Sequence, residues 1–266
     1  MNNFKRKWGT VLLKLGIDPR KIFFSLSSVP SYFIGLYKFK KELARKGNSD
    51  FRLELLPVLS DLNIPSGVAK GHYFHQDLWA AKHIFKKSPN RHIDVGSRID
   101  GFVSHLLVFR DVEVIDVRYL PSKVKGLRFK RADLMDKKMH FREFLTDSLS
   151  CLHTLEHLGL GRYGDSLNPD GWKIGIENLA YMLNSGGTLY LSVPIGPQSI
   201  EFNAHRIFDP KTIVEYANRQ NLNLFEFSFI DDNGDFHQRT KTEEASGCRY
   251  GCGCFLFRKS KNSRKK

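Results

Sequence analysis

The stretch that most constrains the fold is His92–Gly101, HIDVGSRIDG, together with the apolar segment Phe102–Phe109 behind it. A short apolar run stops at Gly96, and the segment after the loop predicts a helix. A strand, a glycine turn and a helix form the first part of a nucleotide-binding βαβ unit. Gly96 can adopt a positive φ, and the helix start offers free N–H groups to a ligand. The G-x-G-x-x-G pattern is incomplete, since only Gly96 and Gly101 are present, so an ordinary buried strand-turn-helix also fits.

Four further apolar runs predict strands, and polar residues lie at their carboxyl ends. The runs cover residues 112–115, 127–132, 148–152 and 188–193. In open α/β sheets, ligands bind at that edge. Asp116 lies 22 positions after Asp94, near the ~20-residue spacing expected of a carboxylate that holds ribose hydroxyls.

The order of these features resembles that of a class I S-adenosylmethionine-dependent methyltransferase. The resemblance covers roughly residues 71–258 and rests on Asp94-Val-Gly96, Asp116, Ala132-Asp133, Leu152–His157 and Leu183–Pro194. A closer resemblance, to a family of methyltransferase-like domains of unknown function, rests on Gly71–Asp77, Asp94–Gly101, Leu158–Asp165 and Asn203–Arg206. That family has no settled substrate, so the closer match adds little chemistry.

The resemblance implies a Rossmann-like α/β fold, in which a mostly parallel sheet ends in an antiparallel last strand. To this fold the sequence adds a helical N-terminal extension. The resemblance also implies S-adenosyl-L-methionine as cofactor and methyl transfer to an oxygen or nitrogen of a small-molecule or glycan acceptor. The cofactor-binding residues that it predicts are Asp94, Gly96, Arg98, Gly101, Asp116, Asp133, Leu134 and His153.

The glycine loop departs from the usual methyltransferase pattern, Asp-x-Gly-x-Gly-x-Gly. Arg98 and Asp100 occupy the second and third glycine positions, and Gly101 comes one residue late. The Arg98 guanidinium could pair with the carboxylate of the cofactor's methionine part, with Asp100 orienting it or receiving the ammonium group. Alternatively, Arg98 and Asp100 pair with each other across a closed, empty site. The second hypothesis describes a methyltransferase-shaped binding or scaffold protein without turnover.

The segment His153–His157 matches the His-x-x-Glu-His pattern of a zinc protease. A metalloprotease would need both histidines on one helix face, whereas His153 ends a strand-like run and glycines follow. The methyltransferase resemblance places this segment beside the acceptor, where His157 is the predicted catalytic residue and could take a proton. The alternative is that His157 and Glu156 pair and shape the loop.

Two polar loops complete the predicted acceptor site, one after strand four and one after strand five. Loops at this edge carry function more often than core elements do. Helix capping and local salt bridges explain the same residues equally well. The predicted substrate-binding residues are Glu156, Arg162, Tyr163, Asp165, His205 and Arg206.

The cysteine pattern Cys248-x-x-x-Cys252-x-Cys254, with His237 nearby, could hold zinc in principle. It lacks two separated Cys-x-x-Cys pairs, and Cys252 and Cys254 would share one face of a strand. We therefore favour buried apolar thiols over a metal site.

The formal charge of +14 is concentrated at the two ends of the chain. Residues 1–46 carry a net charge of +9 and residues 258–266 carry +6, whereas residues 47–257 are nearly neutral. Basic ends around a neutral domain argue against a nucleic-acid-binding face. We expect an N-terminal extension and linker at 1–70, an α/β domain at 71–258 and a disordered basic tail at 259–266.

The apolar-aromatic segment Ile22–Tyr37 is flanked by lysines and interrupted by serines and Pro30. It is short for a membrane span of ~20 apolar residues. It could lie on an anionic membrane surface, or it could cover part of the catalytic domain, which we favour. Without a visible secretory signal, we expect the protein in the cytoplasm, with peripheral attachment to the inner face of a membrane as the alternative.

Overall fold

The computed structural model describes residues 16–47, 51–60, 65–136 and 138–261. They belong to two units, Met1–Val68 and Ala69–Lys266. The domain limits predicted from the sequence stay predictions, and residues 262–266 of the predicted tail lie outside the described residues.

The first unit contains one long helix, α1 (Pro19–Lys46). Asp18 caps it, since its Oδ1 accepts hydrogen bonds from the backbone N–H groups of Arg20 (3.0 Å) and Lys21 (3.3 Å). Many of its aromatic side chains are exposed, such as Phe23. Within the described residues, no helix combines the length and the hydrophobicity that a bilayer span requires. Whether the helix covers the second unit or meets a membrane surface stays a prediction.

The second unit is built on an eight-stranded sheet with the order β3-β2-β1-β4-β5-β10-β8-β9. The first five strands run parallel, β10 runs antiparallel between β5 and β8, and β9 pairs with β8. A separate hairpin pairs β6 with β7. The strands are β1 (His92–Val95), β2 (Val112–Asp116), β3 (Leu127–Arg131), β4 (Thr146–Leu152), β5 (Leu183–Ile195), β6 (Ser199–Glu201), β7 (His205–Ile207), β8 (Leu222–Ile230), β9 (Phe236–His237) and β10 (Gly251–Lys259).

Helices cover both faces of the sheet, and each face has its own apolar core. Alternate residues of a strand point to opposite faces, so Cys252 and Cys254 of β10 join one core while Phe255 and Phe257 join the other. Helices α2 and α3 pack on the first core, and α4 and α5 pack on the second. Their bounds are α2 (His72–Lys87), α3 (Ser104–Leu107), α4 (Gly171–Met182) and α5 (Pro210–Arg219).

The predicted fold class is confirmed, including the antiparallel last strand, and all four cysteines are buried. The helix predicted at Phe102–Phe109 differs, because a π-helical turn at Ile99–Val103 precedes α3 and the helix ends at Leu107. Strand β10 reaches Lys259, the first residue of the predicted tail. Its Nζ donates to the carbonyls of Ala180 (2.6 Å) and Leu183 (2.7 Å) at the end of α4, which ties this residue to the domain.

His92 in β1 makes folding sensitive to acid. It is buried between two serines of β4, with Nδ1 2.8 Å from Ser148 Oγ and Nε2 3.1 Å from Ser150 Oγ. Burial, helped by the Arg110 charge, lowers the pKa of His92 from 6.5 to about 3. The unfolded chain therefore takes up this proton first as the pH falls below 6.5, and stability decreases toward pH 3.

We expect His92 to remove about 2 kcal/mol of unfolding free energy between pH 7 and pH 5. Urea unfolding of the parent and His92→Gln at both pH values measures this contribution, because the other titrating groups are common to both proteins. The variant should lose about 2 kcal/mol less than the parent over this range. His105→Gln, at an exposed position, is the control. Equal losses in parent and His92→Gln would contradict the prediction.

Candidate functional site

A cavity opens at the carboxyl ends of β1, β2 and β4 in the second unit. The space between its walls, including the solvent at its mouth, is about 540 Å³. Among the residues of its wall are Val95, Gly96, Ile115, Asp116, Val117, Arg118, Ala132, Leu134, His153, Thr154, His157, Leu158, Tyr163 and Asp165.

The turn after β1 needs a glycine at position 96. Gly96 has a φ of +71°, and its N–H donates to the carbonyl of Ile115 over 2.9 Å. A Cβ at this position would lie 2.5 Å from Cγ2 and 2.9 Å from Oγ1 of Thr154. The backbone and the Thr154 side chain therefore meet at the cavity wall only because residue 96 has no side chain.

Asp94 stabilises this turn through hydrogen bonds. The carboxylate is fully buried, and its Oδ1 accepts from the hydroxyls of Ser97 and Ser150, both at 2.6 Å. Its Oδ2 accepts from the Ser97 backbone N–H at 3.0 Å. Burial raises the pKa of Asp94 to about 6, although these hydrogen bonds act in the opposite direction. Asp94 thus shapes the turn and lies behind the cavity wall.

Asp116 ends β2 and faces the cavity, as the spacing from Asp94 predicts. Its Oδ1 accepts from the backbone N–H (2.8 Å) and Nε (3.0 Å) of Arg118, and its Oδ2 accepts from Nη2 (2.6 Å). The Arg118 guanidinium also lies 4.5 Å from the centre of the Tyr163 ring. Arg118 therefore connects the end of β2 with the loop after β4.

The predicted residues 133 and 134 have different positions. Leu134 is 3% exposed and forms part of the cavity wall. The Asp133 carboxylate instead accepts from the Met135 backbone N–H at 2.8 Å and caps the turn.

Arg98 and Asp100 pair with each other, as the second loop hypothesis predicts, but at the surface. Nε and Nη2 of Arg98 donate to the two Asp100 oxygens at 3.1 and 2.8 Å, and both side chains are more than half exposed. The guanidinium lies 5.3 Å from the centre of the Tyr73 ring. Neither side chain is among the residues of the cavity wall, so the pair does not plug the cavity. Gly101 follows, and a Cβ there would lie 2.8 Å from Asp77 Oδ2.

The segment after β4 places two histidines around one buried carboxylate. His153 Nδ1 donates to Glu156 Oε1 at 2.6 Å, and His157 Nε2 lies 3.8 Å from the same oxygen. The Glu156 side chain is only 1% exposed. Burial is the largest single effect and opposes the charge of Glu156, but His153, His157 and a backbone hydrogen bond together lower the pKa of Glu156. Burial also opposes the charged form of His153, but Cys252 and Glu156 outweigh it and raise the pKa of His153.

His157 is held with one ring nitrogen available for chemistry. Its Nδ1 lies 2.7 Å from the carbonyl oxygen of Ala204. A carbonyl only accepts, so Nδ1 carries the proton and Nε2 carries the lone pair in the neutral ring. Burial, the largest effect, lowers the pKa of His157, which favours that neutral form.

The loop after β4 is folded around Asp165. Its Oδ2 accepts from the backbone N–H groups of Gly159 (2.8 Å) and Gly161 (3.2 Å), and its Oδ1 accepts from that of Tyr163 (3.1 Å). Arg162 Nη1 donates to the Ala204 carbonyl at 2.9 Å, and its guanidinium lies 5.2 Å from the centre of the Tyr163 ring. Tyr163 and Asp165 form part of the cavity wall, whereas Arg162 is not among the wall residues and contacts the Tyr163 ring.

The side chains of the predicted pair His205 and Arg206 contact other parts of the same domain. The guanidinium of Arg206, a residue that is 3% exposed, donates to four backbone carbonyls at 2.6–3.4 Å. The His205 ring centre lies 5.2 Å from that of Tyr250, and Nε2 lies 3.5 Å from the Glu201 carboxylate. The four carbonyls belong to Glu156, Leu158, Asn168 and Pro169.

The cavity brings together seven of the residues predicted from the sequence. No separate signal marked the apolar wall or Thr154, whereas Arg118 could have been found from its position two residues after Asp116. The seven are Gly96, Asp116, Leu134, His153, His157, Tyr163 and Asp165.

The fold of the chain is similar to that of solved methyltransferase structures. The chain superposes on a proposed sarcosine dimethylglycine methyltransferase of Galdieria sulphuraria with a TM-score of 0.50 and 12% identity, over 69% of this chain and 84% of that one. The chain has the class I methyltransferase fold. At such low identity the likeness establishes the methyltransferase fold and not its chemistry.

Two other solved structures are similar to this methyltransferase fold. One is the 1,6-didemethyltoxoflavin-N1-methyltransferase of Burkholderia thailandensis, with bound 1,6-didemethyltoxoflavin and S-adenosylhomocysteine (14% identity, 88% of each chain, TM-score 0.49). The other is the N-methyltransferase NodS of Bradyrhizobium japonicum WM9 in complex with S-adenosylhomocysteine (15% identity, 82% of this chain and 97% of that one, TM-score 0.47).

At the level of sequence, residues 122–218 match the model of a family described as Caenorhabditis protein of unknown function, DUF268. No curated protein matches the sequence. The match agrees with the resemblance to a methyltransferase-like family without a settled substrate.

Proposed function

We propose that the protein is an S-adenosyl-L-methionine-dependent methyltransferase that acts on a small-molecule or carbohydrate acceptor. The observation that carries the proposal is the cavity at the carboxyl ends of β1, β2 and β4, where the Gly96 turn and the Asp116 carboxylate face the same space. Class I methyltransferases bind their cofactor at this edge of the sheet, and small-molecule sites of α/β folds lie there in general.

The residues present fit such a cofactor. Gly96 forms part of the cavity wall without a side chain, so a ligand in the cavity can lie against its backbone. Asp116 offers a carboxylate for ribose hydroxyls, with the apolar side chains of Ala132 and Leu134 beside it. When bound, the cofactor supplies an electrophilic methyl group on a sulfonium. The Asp116–Arg118 ion pair has to open or be shared before the carboxylate can hold a diol.

Arg98, which stands at one of the usual glycine positions of the loop, is the proposed ligand of the cofactor's carboxylate. Its ion pair with Asp100 is exposed, and exposed pairs are worth only about 0–1 kcal/mol. The guanidinium can therefore exchange Asp100 for another carboxylate at little cost. In this proposal Arg98 binds the carboxylate of the cofactor, while Asp94, Gly101 and Asp133 position the backbone around it.

His157 is the proposed general base. The residue is part of the cavity wall, Nδ1 is fixed on the Ala204 carbonyl, and the neutral ring keeps its lone pair on Nε2. As the acceptor oxygen or nitrogen attacks the methyl carbon, its proton would pass to Nε2. Alignment of the acceptor accounts for much of the rate acceleration in such displacements, so His157 would contribute a smaller part of it. Tyr163 and Asp165 would contact the acceptor, and Glu156 would orient His153.

Isothermal calorimetry with S-adenosylmethionine and S-adenosylhomocysteine tests the proposal. We expect both to bind the parent protein, and we expect Asp116→Ala to lose about 1.5–3 kcal/mol of binding energy, at least about tenfold in affinity. Asp111→Ala changes an exposed carboxylate just before β2, at the opposite end of that strand, and should bind like the parent. Absence of heat with a folded parent protein would refute the proposal and favour the non-catalytic hypothesis.

A further inference from the structure

Three potential metal ligands meet beside the cavity, from parts of the sequence that are far apart. His72 begins α2, His153 follows β4, and Cys252 lies on β10. One ligand atom from each lies within 4.8 Å of the other two. The two imidazole rings are nearly parallel, at an angle of 7° with centres 5.4 Å apart. The proposed methyl transfer assigns no role to His72 or Cys252.

Both histidines are oriented by hydrogen bonds on one ring nitrogen. His153 Nδ1 donates to the Glu156 carboxylate at 2.6 Å, and His72 is hydrogen-bonded to the backbone of Tyr250. In metal sites, a ligating histidine almost always donates its other N–H to a carboxylate or a backbone carbonyl. The two rings are therefore held as such ligands are, with the remaining nitrogens available.

The other ring nitrogen of His153, Nε2, is buried without a well-aligned hydrogen bond among the described residues. The Cys252 thiol is its polar neighbour, and the His153 side chain is 6% exposed. A buried polar atom without a partner is costly and calls for an explanation. Cys252 Sγ is equally enclosed, faces His153 and Cys254, and has long contacts to Gln76 Oε1 (3.7 Å) and the Gly253 carbonyl (3.9 Å).

We propose that His72, His153 and Cys252 bind a zinc ion. Two imidazoles and one thiolate are the donors that zinc prefers, whereas magnesium and calcium require oxygen ligands. Tetrahedral zinc would bring the three atoms to roughly 3.3–3.8 Å from one another. The cluster must therefore contract by about 1 Å, within the reach of side-chain rotation. Binding displaces to solvent the thiol proton of Cys252 and the proton on Nε2 of His153, while Nδ1 keeps its proton for Glu156.

Three protein ligands leave one position of a tetrahedral ion open, as in catalytic zinc sites. His153 is also part of the cavity wall, so the open position lies next to the space that the cofactor and acceptor would share. If the proposed function holds, a donor atom of the acceptor can take this position. The zinc site itself does not depend on methyl transfer.

Cobalt substitution and zinc competition test the site in the full-length protein without cofactor. After treatment with a chelator, we expect one Co²⁺ per chain, with the intense visible bands of tetrahedral cobalt and a sulfur-to-cobalt charge-transfer band. Zinc should displace it. Cys252→Ser should abolish the charge-transfer band. Cys151→Ser removes a thiol that is equally buried, on the other face of the sheet, and should keep the band.

A second variant protects the test against misfolding. His72→Asn changes a less buried ligand at the start of α2, and it should weaken zinc binding at least 10-fold while the circular dichroism spectrum stays that of the parent. Binding of less than one metal ion per chain, or equal zinc affinity in the parent, Cys252→Ser and His72→Asn, would overturn the proposal. Calorimetry with S-adenosylmethionine on the zinc-free protein reports separately on the proposed function.

Discussion

Gly96→Ala is expected to lower the free energy of unfolding by about 2–5 kcal/mol. Two costs add at this position. Alanine at a φ of +71° pays about 1–2 kcal/mol for the left-handed conformation. The new Cβ would also lie 2.5 Å and 2.9 Å from two branches of the Thr154 side chain. Because both branches are close, no rotation of Thr154 removes the overlap, and the turn or β4 must shift.

Gly164→Ala separates the two costs, and urea unfolding measures both variants. Gly164 also has a positive φ, +86°, but a Cβ there would meet no described atom within 4 Å. It should lose only the conformational part, about 1–2 kcal/mol. Thr154→Ala in the Gly96→Ala background should recover the steric part. Equal losses for the two glycine variants would show that the contact with Thr154 is not tight.

Arg206→Met is expected to cost about 2–4 kcal/mol of stability. The guanidinium joins two stretches of backbone, through the carbonyl of Leu158 at 2.6 Å on one side and that of Pro169 at 3.1 Å on the other. Methionine fills similar space but leaves buried carbonyls without donors, at about 1–3 kcal/mol each for the best-formed bonds. Burying the charge of Arg206 is itself unfavourable, as its lowered pKa indicates, so removing that charge offsets part of the loss.

Two comparisons make this prediction specific, with urea unfolding again as the measurement. Arg206→Lys keeps the charge but cannot reproduce the planar fork, so it should recover less than half of the loss. Arg162→Met removes an arginine from the same loop region that donates to the Ala204 carbonyl from an exposed position, and it should cost less than about 1 kcal/mol. A loss for Arg206→Met no larger than that for Arg162→Met would mean that the buried fork does not hold the loop.

The sheet was predictable because its signals are local. Each parallel strand is a short apolar run that stops at a turn or a polar residue, and β1 has the limits predicted from HIDV. The antiparallel last strand was expected from the resemblance to the methyltransferase fold. Gly96 and Asp116 reach the cavity because the ends of parallel strands necessarily meet at one edge.

The roles of charged loop residues were not predictable from the sequence. Arg98, Arg118 and Arg206 are the same residue type near the same edge, yet one lies at the surface, one faces the cavity and one is buried. The three arginines differ in which backbone carbonyls and carboxylates of distant segments lie near them. Such partners depend on how loops close, which local patterns do not encode.

Cys252 illustrates the same limit. Spacing groups it with Cys248, Cys254 and His237, but His237 stacks on Phe229 at 4.5 Å and bonds to Asp231. Cys252 instead meets two histidines from other elements. Spacing reveals metal ligands only when a single hairpin or helix supplies most of them.

The position of β10 between β5 and β8 constrains how the protein forms during translation. Synthesis completes β8 and β9 before the strand that joins them to the rest of the sheet has left the ribosome. Until then, β5 and β8 each have an unpaired edge, although most of their residues are buried in the finished fold. Unpaired strand edges promote association with other chains. Closure by β10 pairs both edges at once, so we infer that the nascent chain is most prone to aggregation, and most dependent on chaperones, in this interval.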